Sequence, residues 1–104
     1  MQALKIYGSP RTNDKVVKAW QNGVSARNHR HSLTSISYPN GSAELFSYDL
    51  KIGERTPAGV YVIADFTAPA NGFHSMTTSC HVNLAKSTKV SRNVPGTLYI
   101  LLTV

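Results

Sequence analysis

Between Gly72 and Lys86 the chain reads GFHSMTTSCHVNLAK. One segment thus carries the hydroxyls of Ser75, Thr77, Thr78 and Ser79, the thiol of Cys80 and the imidazoles of His74 and His81, just ahead of a helix-forming run. The start of a helix leaves backbone N–H groups without partners, and Ser or Thr oxygens accept from them. The same donors, backed by the helix dipole, hold phosphate and other anions. Two readings stand side by side. In one, Thr77, Thr78, Ser79 and His81 form an anion-accepting helix start, with His81 adding a cation when protonated. In the other, Ser75 or Thr77 simply caps the helix, and Phe73 or Met76 staples the preceding loop onto it. No GxxxxGK[ST] phosphate loop is present.

The histidines and the cysteine raise two further chemistries. His29 and His31 flank Arg30, and Cys80 adjoins His81. Structural zinc sites take C-x₂₋₄-C and H-x₃₋₅-H pairs, which neither HRH nor CH matches, so no metal is expected. Cys80, early in a helix, is read either as a thiol with a lowered pKa or as a small core residue. A metal-free nuclease would need a base, an acid and a cation, for which His81 or His74 with Lys51 or Arg55 are the candidates. The carboxylates are scattered, and no DxD, HExxH or GxSxG occurs. No catalytic residue and no cofactor is therefore assigned.

Charge points elsewhere. The chain carries a net +6, unevenly spread. Residues 1–31 hold Lys5, Arg11, Lys15, Lys18, Arg27 and Arg30 against Asp14 alone, and residues 75–104 hold Lys86, Lys89 and Arg92 with no acid. The stretch between is mildly acidic, with Glu44, Asp49, Glu54 and Asp65 against Lys51 and Arg55. Basic ends of this kind suit a polyanion, nucleic acid first, and they also serve solubility. The expected phosphate contacts are Lys15, Lys18, Arg27, Arg30, Lys86, Lys89 and Arg92, with the hydroxyl and histidine cluster as the anion-accepting helix start. Tyr7, Tyr38, Tyr48 and Tyr61 would stack bases only if the sheet face were open, and Tyr48 is read as core. No RNP motif, zinc finger or helix-turn-helix is present.

These residues need elements to position them. Residues 3–7, ALKIY, read as a first strand, broken by Gly8-Ser9-Pro10. Val16, Val17, Trp20 and Val24 fall on one helical stripe, which predicts a helix over Asn13 to Ala26 that weakens or ends at Gly23. Leu33 to Tyr38 reads as a strand, and Asn40-Gly41 as a hairpin turn. ELFSYDLKIG alternates, with Phe46, Tyr48, Leu50 and Ile52 pointing inward and Ser47, Asp49 and Lys51 outward. Val60, Val62, Ala64 and Phe66 make a third strand after a turn at 56–59. A second helix is expected over Thr78 to Ser87, with Cys80, Leu84 and Ala85, or Val82, inward. Val94-Pro95-Gly96 breaks the chain before a buried strand at Thr97 to Val104. The expectation is α+β: a single domain over residues 1–104, in the order β-α-β-β-β-α-β, with a mostly antiparallel sheet and two helices.

Length and composition agree. A chain of 104 residues, 41% hydrophobic and 15% charged, suits one domain with a real core. One cysteine allows no intrachain disulfide. MQALKIYGSPR lacks the apolar core of a signal peptide, and LYILL is far too short to span a bilayer. No membrane partner and a cytoplasmic location are expected.

The middle of the chain also resembles a family of small proteins from tailed phages and other mobile elements, which has no assigned activity. Its layout is "LYSY…I…", a strand, then "YS-TTS-H-N". The matching residues are Leu45, Phe46, Ser47, Tyr48, Ile52, Ser75, Thr77, Thr78, Ser79, His81 and Asn83, within about Glu44 to Lys86. Phe46 and Phe73 stand where the family often has tyrosine. The resemblance implies a phage-encoded protein at work in an infected bacterium. It leads to a ranked expectation: a non-enzymatic accessory protein binding nucleic acid, then a virion component, homo-oligomer or protein-interaction module, then a small nuclease.

Overall fold

The helical stripe folds as spaced from Val16 to Trp20. The computed structural model describes residues 5–66, 75–88 and 92–96. In it the first helix, α1, spans Asn13–Gln21 and buries Val16, Val17, Ala19 and Trp20. It stops earlier than the predicted Ala26. Gly23 takes φ 69°, Gly23 N–H donates to the Trp20 carbonyl (3.1 Å), and Val24 N–H donates to the Ala19 carbonyl (2.8 Å). That pair of bonds satisfies the last carbonyls and turns the chain away, a geometry glycine adopts without penalty. Val24, expected on the stripe, is therefore exposed, while Ala26 is buried in a strand.

Among the described residues, six strands follow in one sheet: β1 (Ala26–Arg27), β2 (Leu33–Ser37), β3 (Ala43–Ser47), β4 (Leu50–Arg55), β5 (Tyr61–Asp65) and β6 (Arg92–Pro95). They lie in the order β1-β2-β3-β4-β5-β6. All neighbours are antiparallel except β5 and β6, which are parallel and joined through the second helix, α2 (Met76–Lys86). The fold is thus α+β, with two helices and a mostly antiparallel sheet among the described residues. The predicted N-terminal strand is not formed at Lys5–Tyr7, and its first two residues lie outside the described ones. Ahead of α1, Arg11 instead makes one parallel bridge to Asn28. β6 forms where a break at Val94-Pro95 was expected, and Thr97 to Val104 lies outside the described residues.

The Asn40-Gly41 turn is present, joining β2 to β3, with Gly41 N–H donating to the Tyr38 carbonyl (3.0 Å). ELFSYDLKIG differs from its expected single strand. It is a hairpin, β3 to β4, that turns at Tyr48 and Asp49, with Tyr48 at φ 54° and exposed. The phase of β3 is also reversed. Ala43, Leu45 and Ser47 face inward, and Phe46 is half-buried on the other face. Ser47 tolerates burial because two side chains of α2 bond its hydroxyl. Leu45 pairs with Gly53 but Phe46 with Lys51, so Ile52 is the extra residue of a bulge that restores the inward phase of β4.

Both helices rest on the sheet and on each other, α1 over β2 and β3, α2 over β3 and β5. Gly53 makes room for α1: a Cβ there would stand 3.0 Å from Trp20 Cζ2 and 3.2 Å from Leu45 Cβ. The Trp20 ring meets the Tyr61 ring edge-on at 5.5 Å. On α2, Thr78, Val82 and Ala85 are buried and Leu84 is half-buried, but Cys80, expected among the inner residues, is exposed. No helix among the described residues is long and apolar enough to cross a membrane.

Candidate anion-binding cleft

Three chain segments converge at one end of the helical layer. Arg11 N–H donates to the Arg27 carbonyl (3.0 Å), which ties the residues before α1 to β1. Asn28, buried, locks the same region from its side chain. Its Oδ1 accepts from the N–H groups of Ser32 (2.8 Å) and Leu33 (3.2 Å), and its Nδ2 donates to Asn13 Oδ1 (2.8 Å) and Ser32 Oγ (2.9 Å). One amide therefore fastens the start of α1 to the β1–β2 turn, whose tip exposes His29, Arg30 and His31, the last at φ 56°.

The third segment is the first half of α2. Ser75 is its N-cap, accepting from Thr78 N–H (3.1 Å), as one of the two capping candidates predicted. Ser75 Oγ also donates to Thr78 Oγ1 (3.1 Å). Thr78 Oγ1 lies 2.9 Å from Ser47 Oγ, and Ser47 Oγ lies 2.7 Å from His81 Nδ1. Ser47 and Thr78 are fully buried, and His81 is 2% exposed. That burial pushes His81 below its ordinary pKa, so the ring is held neutral at neutral pH.

Between these segments opens a cleft of about 310 Å³. Arg11, Thr12 and Asn13 form one wall, the turn residues Asn28 to Arg30 with Ser32 form another, and Thr77 and His81 close it from α2. None of these residues is acidic. Asp14, in the first turn of α1, is held below the usual carboxylate range chiefly by a hydrogen bond from Thr12. Arg11 is shared with a second, shallower groove of about 450 Å³ along α1, where Lys15 and Lys18 stand on the exposed face.

The eleven residues expected at the site separate accordingly. Arg30, Thr77 and His81 meet in the cleft, and Lys15 and Lys18 lie in the adjoining groove. Arg27 is half-buried in β1 with its guanidinium 4.6 Å above the Tyr7 ring. Thr78 is committed inside to Ser75 and Ser47, and Ser79 is buried with no hydrogen-bond partner for its hydroxyl among the described residues. Lys86 pairs with Asp65 at 2.9 Å, and Arg92 is exposed on β6, at the other end of the described strand order from β1. Lys89 lies outside the described residues, as do Phe73 and His74. Of the nuclease candidates, Lys51 bridges Glu44 (2.8 Å) and Glu54 (3.0 Å), and Arg55 bonds the Gly41 carbonyl. Among the described residues, no three His, Cys, Asp or Glu side chains gather as metal ligands.

Arg11, Asn13 and Ser32 were not assigned to a site from sequence, and Ser47, noted only in the resemblance, was expected to point outward. Each acquires its part through a contact across the fold, and no local pattern marks it. No known protein family, curated protein or solved structure matches the chain.

Proposed function

We propose that this protein binds nucleic acid by its phosphates, with the cleft between the two helix starts as the primary contact. The observation that carries this reading is the make-up of the walls: two arginines, two histidines and polar donors, with no acid among them. Helix starts favour anions in the same sense, through unpaired N–H groups and the dipole. Sharing Arg11 between cleft and groove extends the positive surface to Lys15 and Lys18, as a strand with successive phosphates requires. Lys86, paired with Asp65, and Arg92, at the other end of the described strand order, are left outside the proposed contact set. The resemblance to phage and mobile-element proteins fits a small accessory factor acting on nucleic acid in an infected cell.

Fluorescence anisotropy with labelled single- and double-stranded DNA and RNA, repeated across a salt titration, tests the reading. Four cations engaging phosphates predict a log–log salt slope of about −3 to −4 and low-salt affinity of about micromolar or tighter. Absence of binding at low salt, or an affinity indifferent to salt, contradicts it and turns attention to a protein partner.

A further inference from the structure

The inner wall of the cleft offers hydrogen-bond donors whose acceptor sides are already occupied within the protein. Ser75 Oγ donates to Thr78 Oγ1, so the Thr78 proton passes to its other partner, Ser47 Oγ. The Ser47 proton then goes to His81 Nδ1. The reverse direction would leave the fully buried Ser47 hydroxyl with a proton and no acceptor, an unmade hydrogen bond that burial makes costly. His81 therefore carries its own proton on Nε2, which makes no hydrogen bond to any described residue. The ring is 2% exposed and lines the cleft.

Ser32 is built the same way. The two backbone N–H groups on Asn28 Oδ1 fix the orientation of that amide, so its Nδ2 donates to Ser32 Oγ. Ser32, 5% exposed, keeps its hydroxyl proton with no acceptor among the described residues. Asn13 Oδ1 is occupied by the second Asn28 N–H, so the Asn13 amide nitrogen, on the rim, also has only donors to give. Two nine-tenths-buried side chains, reached from different elements, thus present neutral donors to one cleft that Arg11 and Arg30 also line.

We infer that His81 Nε2–H and Ser32 Oγ–H, with the Asn13 amide, form a preorganised seat for the oxygens of a phosphoryl group, and that Ser47 and Thr78 act as positioning residues that hold His81 in its donating tautomer. This rests on the cleft being the phosphate contact proposed above, and it adds which atoms make the contact. Donors fixed in a shielded pocket need no rearrangement to bind an oxyanion, and a carboxylate-free wall leaves nothing to repel it. The arginines supply attraction at range, and the neutral donors supply the fit. The phosphoryl group is either an internal phosphodiester or a terminal phosphomonoester, two sources of the same chemistry.

The test is a long-range ¹H–¹⁵N correlation on histidine-labelled protein, without ligand and then with three probes: inorganic phosphate, a 5′-phosphorylated oligonucleotide and the same oligonucleotide with a 5′-hydroxyl. The expected result is the Nε2–H tautomer of His81 and a marked shift of that N–H on binding. A shift with both oligonucleotides identifies the diester, and a shift only with the phosphorylated one identifies the monoester. In parallel, Ser32→Ala is expected to weaken oligonucleotide binding about five- to tenfold, the worth of one hydrogen bond, with an unchanged salt slope, because a neutral donor releases no counterion. An Nδ1–H tautomer overturns the inference, and so does oligonucleotide binding, seen by anisotropy, that leaves the His81 signal unmoved. If no oligonucleotide binds, the nucleic-acid reading fails by itself. The phosphate titration then decides the inference: a His81 shift sustains it, and none overturns it.

Discussion

At the scale of single residues, His81 couples the site to stability. Burial holds its pKa below the ordinary value of 6.5, so as pH falls the unfolded chain takes up a proton that the folded one refuses. The stability that depends on a neutral His81 is complete above the unfolded value and is lost progressively as pH falls below it. Urea midpoints measured from about pH 7.5 down to about pH 5 are expected to fall for the natural protein. His81→Gln, which cannot titrate, should flatten that slope even if it lowers the starting stability. An equal slope in both proteins would show that His81 is not the group responsible.

At the scale of elements, the site depends on how closely the helices approach the sheet. Gly53 lies directly against the Trp20 side chain of α1, with no room for a Cβ. Gly53→Ala would force a methyl against a buried indole, so a loss of about 1–3 kcal/mol is expected in denaturant unfolding, with altered near-ultraviolet dichroism from Trp20. A neutral effect would mean that α1 shifts without strain. The α1 stripe was legible in the sequence because Val16, Val17 and Trp20 repeat at helical spacing, and the β2–β3 turn because Asn40-Gly41 is turn chemistry. The β3–β4 hairpin was not. Tyr48 and Asp49 are no glycine pair, and the run from Glu44 to Ile52 alternates without a break. A two-residue turn followed by a bulge at Ile52 preserves that alternation on paper while reversing which face of β3 is buried. The Ser75 cap and the grouping of Thr77 with His81 were visible as a helix-start pattern. The Ser47 hydroxyl that orients His81 comes from 34 residues away in the chain, through a register no local pattern reveals.

At the scale of the whole molecule, the question is whether binding belongs to the cleft or to the net charge of +6. Arg30 stands at the cleft, and Arg92 stands at the other end of the described strand order; both are exposed. Arg30→Glu and Arg92→Glu change the net charge equally, so long-range attraction alone would weaken both alike. The most direct measurement is anisotropy of one labelled oligonucleotide with these two variants at a single salt concentration. If the cleft is the contact, Arg30→Glu loses about tenfold or more in affinity, roughly 1.4 kcal/mol, while Arg92→Glu stays within about twofold of the natural protein. Equal losses in the two variants would contradict it.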